Sequence, residues 1–173
     1  MHVLITGARG VGKSTLIRRV TEALNRPMWG FLTKRDNTLT NEEKGTPVYI
    51  HEVGKAPVQA EENLIGYGGN GRVSVVPETF DRWAEKLRVP VPRDHLILMD
   101  ELGFMESSSP EFCSAVLTLL EGNTPIIAAV REKDTPFLNA LRAHPNCRCF
   151  QVTEENREPL YTEVLSFLTE QFN

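Results

Sequence analysis

The residues best suited to phosphate chemistry form one uninterrupted segment near the start of the sequence: Gly7, Ala8, Arg9, Gly10, Val11, Gly12, Lys13, Ser14 and Thr15. Its first eight residues match the pattern G-x-x-x-x-G-K-[ST]. The glycines permit a loop tight enough for backbone N–H groups to point at phosphate oxygens, and a following helix adds the positive end of its dipole. We expect Lys13 to reach the β- and γ-phosphates and the Ser14 hydroxyl to bind Mg²⁺. The segment therefore predicts a nucleotide-binding loop.

A pair of carboxylates, Asp100 and Glu101, lies at the end of the apolar run His95–Met99. Strands often end in charged residues merely because the chain has reached solvent. The pair indicates a functional site only because the sequence also contains a phosphate loop. An aspartate at the tip of a buried strand is the usual partner of such a loop and holds Mg²⁺. We predict that Asp100 shares the metal with Ser14, and that Glu101 orients or deprotonates the water that attacks the γ-phosphorus.

Two arginines follow later apolar runs, Arg131 after Ile126–Val130 and Arg157 after Arg148–Val152. Because the carboxyl ends of parallel strands meet at one edge of a sheet, Arg131 should lie beside Asp100. There it could act with Lys13 and Glu101 in catalysis by stabilising charge on the transferred phosphoryl group, or it could be a solvated surface residue. Arg157 could lie over the nucleotide base, or could simply belong to the first turn of the last helix.

Two glycine-containing patterns are weaker signals. Gly66–Gly71 matches G-x-G-x-x-G, but the β-branched run Val73–Val76 follows where a dinucleotide-binding fingerprint needs a helix, so we predict a flexible turn. Asp100–Gly103 fits the D-x-x-G element of small GTPases. The sequence contains no N-K-x-D motif for reading guanine, and we therefore expect loose selection of the base.

The three cysteines do not form a disulfide framework, and their odd number fits a reducing compartment. Cys147 and Cys149 would share one face of a strand near His144, which is a partial metal-ligand pattern. Since no fourth ligand is evident, we favour two buried strand cysteines over a metal site.

These groups need a scaffold that brings a loop–helix junction and several strand ends together. Short apolar runs alternate with helical patterns along the chain, which predicts an α/β fold with a mainly parallel central sheet and flanking helices. Residues 34–76 are polar and glycine-rich, and we interpret them as a small β-rich insertion within a single domain of residues 1–173. The expected strands are Val3–Ile5, Met28–Thr33, Tyr49–Val53, Arg72–Val76, His95–Met99, Pro125–Val130 and Arg148–Val152, and the expected helices begin near Ser14, Thr79, Pro110, Pro136 and Asn156.

Composition narrows the possible partners. The formal net charge is -4, from 19 Lys and Arg against 23 Asp and Glu, so the average surface repels nucleic acid and anionic membranes. No apolar run approaches the roughly 20 residues that a membrane span requires. The first residues lack the basic start and long apolar stretch of a signal peptide. We expect a cytoplasmic protein with no membrane contact, for which nucleic acid is an unlikely partner and protein partners are unknown.

Five blocks, in order, resemble a known family of P-loop NTPases: the small cytosolic nucleoside-triphosphatases that include a human cancer-related enzyme and thermophilic bacterial relatives. The resemblance implies a RecA-like core with a small β insertion, and slow Mg²⁺-dependent hydrolysis of ATP, GTP and other nucleoside triphosphates. The blocks are Gly7–Ser14, Gly30–Thr33, Asp100–Glu106, Ala129–Arg131 with Pro136–Phe137, and Val152–Arg157.

Two departures from the family pattern bear on rate and substrate preference. Phe104 stands where members of the family usually carry a lysine, so any charge stabilisation by that lysine is missing. The segment Lys34-Arg35-Asp36 lacks the glutamate expected before its arginine.

Two other functions stay open on the sequence. One is a nucleoside or nucleotide kinase, whose acceptor lid is usually rich in arginine, whereas residues 41–71 contain none. The other is a nucleotide-dependent binding module for a protein or RNA partner, of which RNA is disfavoured by the acidic composition.

Overall fold

The computed structural model describes residues 1–173 and contains eight β-strands and five α-helices. The strands are β1 (His2–Thr6), β2 (Met28–Arg35), β3 (Thr46–Glu52), β4 (Leu64–Gly69), β5 (Arg72–Val75), β6 (Leu96–Leu102), β7 (Ile126–Val130) and β8 (Cys147–Gln151). The helices are α1 (Lys13–Leu24), α2 (Pro77–Leu87), α3 (Pro110–Leu120), α4 (Pro136–Arg142) and α5 (Arg157–Glu170). Every strand and helix expected from the sequence is present, with bounds that differ by a few residues.

All eight strands belong to one sheet, in the order β5-β4-β3-β2-β6-β7-β1-β8. The five strands from β2 to β8 in that order pair in parallel, whereas β3, β4 and β5 are joined antiparallel to the outer side of β2. The predicted α/β fold with a mainly parallel sheet is therefore confirmed. The carboxyl ends of β6, β7, β1 and β8 meet at one edge, as they must in a parallel arrangement.

Residues 34–76 extend the main sheet. The predicted strands Tyr49–Val53 and Arg72–Val76 correspond to β3 and β5, and the unpredicted β4 lies between them. The prediction of a flexible turn over Gly66–Gly71 is wrong for most of its length, because Gly66–Gly69 are the last residues of β4 and pair with β5. Asn70 and Gly71 form the tight turn, and both have positive φ angles, of 53° and 70°. A helix does not follow, as expected.

The alternation of side chains along the parallel strands divides the core between the two faces of the sheet. Leu4, Ile97 and Met99 contact α2, α3 and α4, whereas Ile5 and Leu98 contact α1 and α5. Three aromatic contacts fix α2 and α3 over β2, with ring centroids 5.6 Å apart for Phe31–Trp83, 5.7 Å for Phe31–Phe112 and 5.1 Å for Phe80–Phe112. Each such buried side chain contributes about 1.5–3 kcal/mol, so these contacts hold α2 and α3 firmly against the sheet. None of the helices has the length and apolar character needed to cross a membrane.

Helices α3 and α4 begin at N-terminal capping residues that are recognisable in the sequence. The Ser109 hydroxyl accepts a hydrogen bond from the Phe112 N–H at the start of α3, and the Thr135 hydroxyl accepts one from the Leu138 N–H at the start of α4. A proline occupies the first helical position in each case. The caps orient the two helices that follow β6 and β7.

Strand β6 runs three residues beyond its predicted end, so Asp100 and Glu101 lie within it rather than after it. Its register against β7 shifts between Asp100 and Leu102. The chain then turns through a short 3₁₀ segment, Met105–Ser108, in which the Glu106 carboxylate accepts a hydrogen bond from the Gly103 N–H at 3.0 Å. Glu106 is only 3% exposed, and burial raises its pKa to about 7.

We expect Glu106→Gln to remove the pH dependence that the Glu106 carboxyl gives to the free energy of unfolding. Glutamate in the unfolded chain loses its proton near pH 4.5 and Glu106 in the folded chain near pH 7, so between these values the folded state binds more protons and its stability falls as pH rises. The variant keeps an oxygen that can accept the bond from Gly103. Its stability relative to the parent should rise by about 2 kcal/mol from pH 5 to pH 8 in urea denaturation.

The exposed residue Glu155 offers a control, since Glu155→Gln removes a carboxylate that is solvated in both states. This control should show no such change with pH. A stability difference for Glu106→Gln that stays constant over the same range would contradict the assignment of the raised pKa.

Candidate active site

The phosphate loop connects the end of β1 to the start of α1, as its sequence predicted. Gly7 lies where a β-carbon would approach the Val152 carbonyl oxygen to 2.7 Å, so the loop can pack against the chain that follows β8 only with glycine there. Gly12 adopts a left-handed conformation, with φ of 107°, immediately before the helix. The unpaired N–H groups of the first turn of α1 therefore face the space enclosed by the loop.

The Lys13 side chain folds back over the loop. Its ammonium donates hydrogen bonds to the carbonyl oxygens of Gly7 at 2.9 Å and Ala8 at 3.1 Å, and the residue is 7% exposed. The nearest carboxylate oxygen is Oε2 of Glu101, at 3.7 Å from Nζ. The ammonium is thus fixed between the loop and the end of β6.

Ser14 and Asp100, 86 positions apart in the chain, are in direct contact. The Ser14 Oγ donates a hydrogen bond to Oδ1 of Asp100 at 3.1 Å. Burial raises the pKa of the Asp100 carboxyl, and the hydrogen bond from Ser14 opposes that rise. A hydroxyl and a carboxylate are the hard oxygen donors that Mg²⁺ prefers, so this pair has the chemistry expected of a magnesium site.

Glu101 joins three elements of the site through its side chain and backbone. Its carboxylate lies between two cations, with Oε1 at 2.5 Å from the Nε of Arg131 and Oε2 near the Lys13 ammonium. Its backbone N–H donates a hydrogen bond to the Thr33 hydroxyl at 3.2 Å. Arg131 therefore lies at the edge where the sequence placed it, and its partner there is Glu101.

Arg157 contacts the outer side of the phosphate loop. It is the first residue of α5, and its Nε donates a hydrogen bond to the Val11 carbonyl oxygen at 2.9 Å. Its guanidinium also packs over Gly12, and β8, which precedes it, pairs directly with β1. Arg157 thus occupies the first turn of the last helix and borders a recess formed with Gly10 and Thr15.

Two connected spaces open at this edge of the sheet. The larger, a cleft of about 720 Å³, runs over the phosphate loop and is bordered by the cationic residues Lys13, Arg131 and Lys133. The smaller, a cavity of about 260 Å³, extends behind Asp100 toward β3 and β4. Arg9 and Arg35 line both spaces.

Thr33, Arg35 and Glu106 also line the site, although they were not predicted as site residues from the sequence. Thr33 and Arg35 lie at the end of β2, which pairs in parallel with β6 and so brings them to the same edge as Asp100. Met28–Thr33 was predicted as a strand, and a parallel pairing with β6 was the signal that could have placed them. Glu106 lines the smaller cavity from the turn after β6.

Phe104, which replaces the usual lysine of the resembled family, also lines the site. The Lys133 ammonium lies 4.4 Å from the centroid of the Phe104 ring, a cation–π arrangement, and both residues border the larger cleft. A positive charge from the segment after β7 therefore lies over Phe104, the position at which the resembled family usually has a lysine.

The cysteines take no part in this site. Cys147 is half-buried and Cys149 is exposed, so the prediction of two buried cysteines is wrong for Cys149. Strand β8 is at the edge of the sheet, and the seven-residue helix α4 covers only part of its face. His144 pairs with Glu121, at 3.0 Å, and no cluster of three or more His, Cys, Asp or Glu side chains has the arrangement of a metal site.

Comparison with known proteins gives consistent results over nearly the whole chain. A sequence model described as NTPase matches residues 2–165. Nucleoside-triphosphatase THEP1 of Pyrococcus abyssi is 31% identical over 169 residues, which cover 95% of this chain and 90% of that protein.

Two solved structures share the fold. The crystal structure of THEP1 from the hyperthermophile Aquifex aeolicus has a TM-score of 0.68 at 23% identity, covering 97% of this chain and 99% of its own. The solution structure of a human cancer-related nucleoside triphosphatase has a TM-score of 0.68 at 25% identity, covering 98% and 97%. The strand order and phosphate loop agree with the α/β fold of P-loop NTPases. With the family model matching residues 2–165, the chain belongs to the NTPase family.

Proposed function

We propose that this protein hydrolyses nucleoside triphosphates to the diphosphate and phosphate, with Mg²⁺ and with loose selection of the base. The observation that carries the proposal is the convergence of Lys13, Glu101 and the Ser14–Asp100 pair at the mouth of the phosphate loop. Family membership and the nucleoside-triphosphatase names of the relatives support the reaction class. The absence of an N-K-x-D motif supports loose base selection.

Binding of the triphosphate relies on groups that are already in position. The loop supplies backbone N–H groups, and the Lys13 ammonium, held by the Gly7 and Ala8 carbonyls, supplies a fixed positive charge. Because these donors need little reorganisation, they can stabilise charge as it develops on the oxygen that links the β- and γ-phosphates. The Ser14 hydroxyl and Asp100 carboxylate would hold Mg²⁺, which when bound neutralises phosphate charge and orients the triphosphate.

Proton transfer is assigned to Glu101. A water oxygen attacks the γ-phosphorus, its proton passes to the Glu101 carboxylate, and the electron pair of the breaking P–O bond stays on the diphosphate. Arg131 orients that carboxylate through its Nε, while its two Nη groups form no hydrogen bond with the protein and are available to the phosphoryl oxygens. Positioning and electrostatics thus account for most of the chemistry.

The direct test is phosphate release from ATP, GTP, CTP and UTP, with Mg²⁺ and with a chelator. We expect turnover of all four within about tenfold of one another, because no side chain is assigned to read the base edge. The chelator should abolish turnover and added Mg²⁺ should restore it. Undiminished release in the chelator would remove the metal from the proposal, and release from a single triphosphate would contradict loose selection.

Lys13→Ala should lower kcat/KM by about a hundredfold or more, since loss of one fixed donor to a developing charge typically has that effect. Steady-state phosphate release measures the change. Lys55→Ala is the matched control, because its ammonium is exposed and pairs with Glu52. Equal rates for the two variants would overturn the assignment of the phosphate loop.

Glu101→Gln should retain binding of the Mg²⁺-nucleotide and slow hydrolysis by about a hundredfold or more, since glutamine keeps the size of the side chain but cannot take the proton. Nucleotide titration calorimetry and single-turnover hydrolysis separate the two effects. Glu163→Gln, which removes an exposed carboxylate paired with Arg148, provides the control. Turnover within a few-fold of the parent would mean that Glu101 is not the base.

A further inference from the structure

The smaller cavity extends beyond the groups assigned to hydrolysis. Its volume is about 260 Å³. It begins beside Ser14 and Asp100 and extends toward the antiparallel strands, where Val48 of β3 and Ile65 of β4 line it with Met105. Because Ser14, Asp100 and Glu101 also line it, the metal and the γ-phosphate would take part of this volume, and the part beside Val48, Ile65 and Met105 is left for a second small molecule.

Arg35 is the unusual residue of this cavity. It is half-buried, and its guanidinium neither donates a hydrogen bond to the protein nor forms an ion pair. Burial lowers the pKa of Arg35, the positive charges of Arg9 and Arg131 lower it further, and the negative charge of Glu101 opposes them. A partly desolvated cation near other positive charges is stabilised by an anion that binds beside it.

The neighbouring strand leaves space for this guanidinium. A β-carbon on Gly68 of β4 would lie 2.8 Å from Nη2 of Arg35 and 3.4 Å from its Cζ, so any larger residue there would displace the arginine. The open side of Gly68 thus lets Arg35 lie against β4, where it lines the cavity.

The carboxylates in the same cavity are already engaged. Glu101 pairs with Arg131 and Lys13, Asp100 accepts the hydrogen bond from Ser14, and Glu106 accepts one from the Gly103 N–H. Arg9, an exposed residue of the phosphate loop, and Arg35 make no ion pair or hydrogen bond with the protein, so neither of these guanidinium groups that line the cavity has a carboxylate in direct contact.

We propose that this cavity is a second phosphate-binding site, in which Arg35 and Arg9 hold a phosphate group beside the bound triphosphate. Planar guanidinium groups match the oxygens of phosphate in a two-point arrangement. The ligand is either a small phosphomonoester, whose carbon part would contact Val48, Ile65 and Met105, or the orthophosphate that hydrolysis releases. The inference rests on the proposed function in one respect, that the triphosphate occupies the neighbouring loop.

A second phosphate site also bears on transfer of the phosphoryl group to an acceptor. The absence of arginine from residues 41–71 disfavours a kinase on the sequence alone. In the structure, Arg35 of β2 and Arg9 of the phosphate loop line the same cavity as Val48 and Ile65 of that segment. An arginine-lined acceptor space is thus formed without any arginine in the segment itself.

Titration calorimetry tests the proposal on protein saturated with Mg²⁺ and a non-hydrolysable ATP analogue, so that the γ-phosphate position is filled. Orthophosphate and glycerol phosphate are titrated at constant ionic strength. We expect saturable binding to the parent protein, weakened by about tenfold or more in Arg35→Ala, since one bidentate phosphate contact is lost. Arg35→Lys, which keeps the charge without the fork, should lie between the two. Arg72→Ala, at an exposed arginine of β5 outside the cavity, should bind as the parent does.

The possible results distinguish a phosphomonoester from orthophosphate as the ligand, and they test the second site separately from the proposed hydrolysis. Binding of both probes identifies a phosphomonoester site, and binding of orthophosphate alone identifies a site for the released product. Absence of saturable binding in the analogue-loaded parent, or equal binding in Arg35→Ala, would overturn the second site. Binding of the ATP analogue is measured first and separately, so its failure would count against the proposed function alone.

Discussion

The position of the Glu101 carboxylate between the Lys13 ammonium and the Arg131 guanidinium is the constraint on which the rest of the site depends. It joins the start of α1, the end of β6 and the end of β7, three elements that are distant in the sequence. Each cation would be costly to leave unpaired here, and the shared anion offsets part of that cost for both. The cleft is consequently built before any nucleotide enters it.

The order of strands makes this ion-pair arrangement possible. Because β7 lies between β1 and β6, the residue that follows β7 reaches the end of β6 directly, while the loop that follows β1 lies one strand further away. The two buried clusters, one on each face, fix these parallel strands against each other. The packing of the hydrophobic core thus sets the distances among the charged groups of the site.

The chemistry of the phosphate loop and the contacts across the parallel strand ends were predictable from the sequence, whereas contacts that depend on the antiparallel strands or on strand register were not. The phosphate loop is specified by its own glycines and lysine, and the meeting of Ser14 with Asp100 follows from the parallel-edge rule. Arg35 was missed because its place depends on how β2 pairs with β6 on one side and β3 on the other. The continuation of β6 through Asp100 and Glu101, its register shift against β7, and the edge position that exposes Cys149 likewise have no signature in the local pattern.

Strand β2 is the only strand that pairs in parallel on one side and antiparallel on the other. Near its end are Thr33, whose hydroxyl accepts a hydrogen bond from the Glu101 N–H, and Arg35, whose guanidinium lies against β4. Strand β2 therefore connects the antiparallel strands β3–β5 directly to the candidate active site. The β3–β4 hairpin pairs with β2, and Thr33 of β2 contacts the Glu101 backbone, so the outer strands are continuous with the candidate active site and are not an independent appendage.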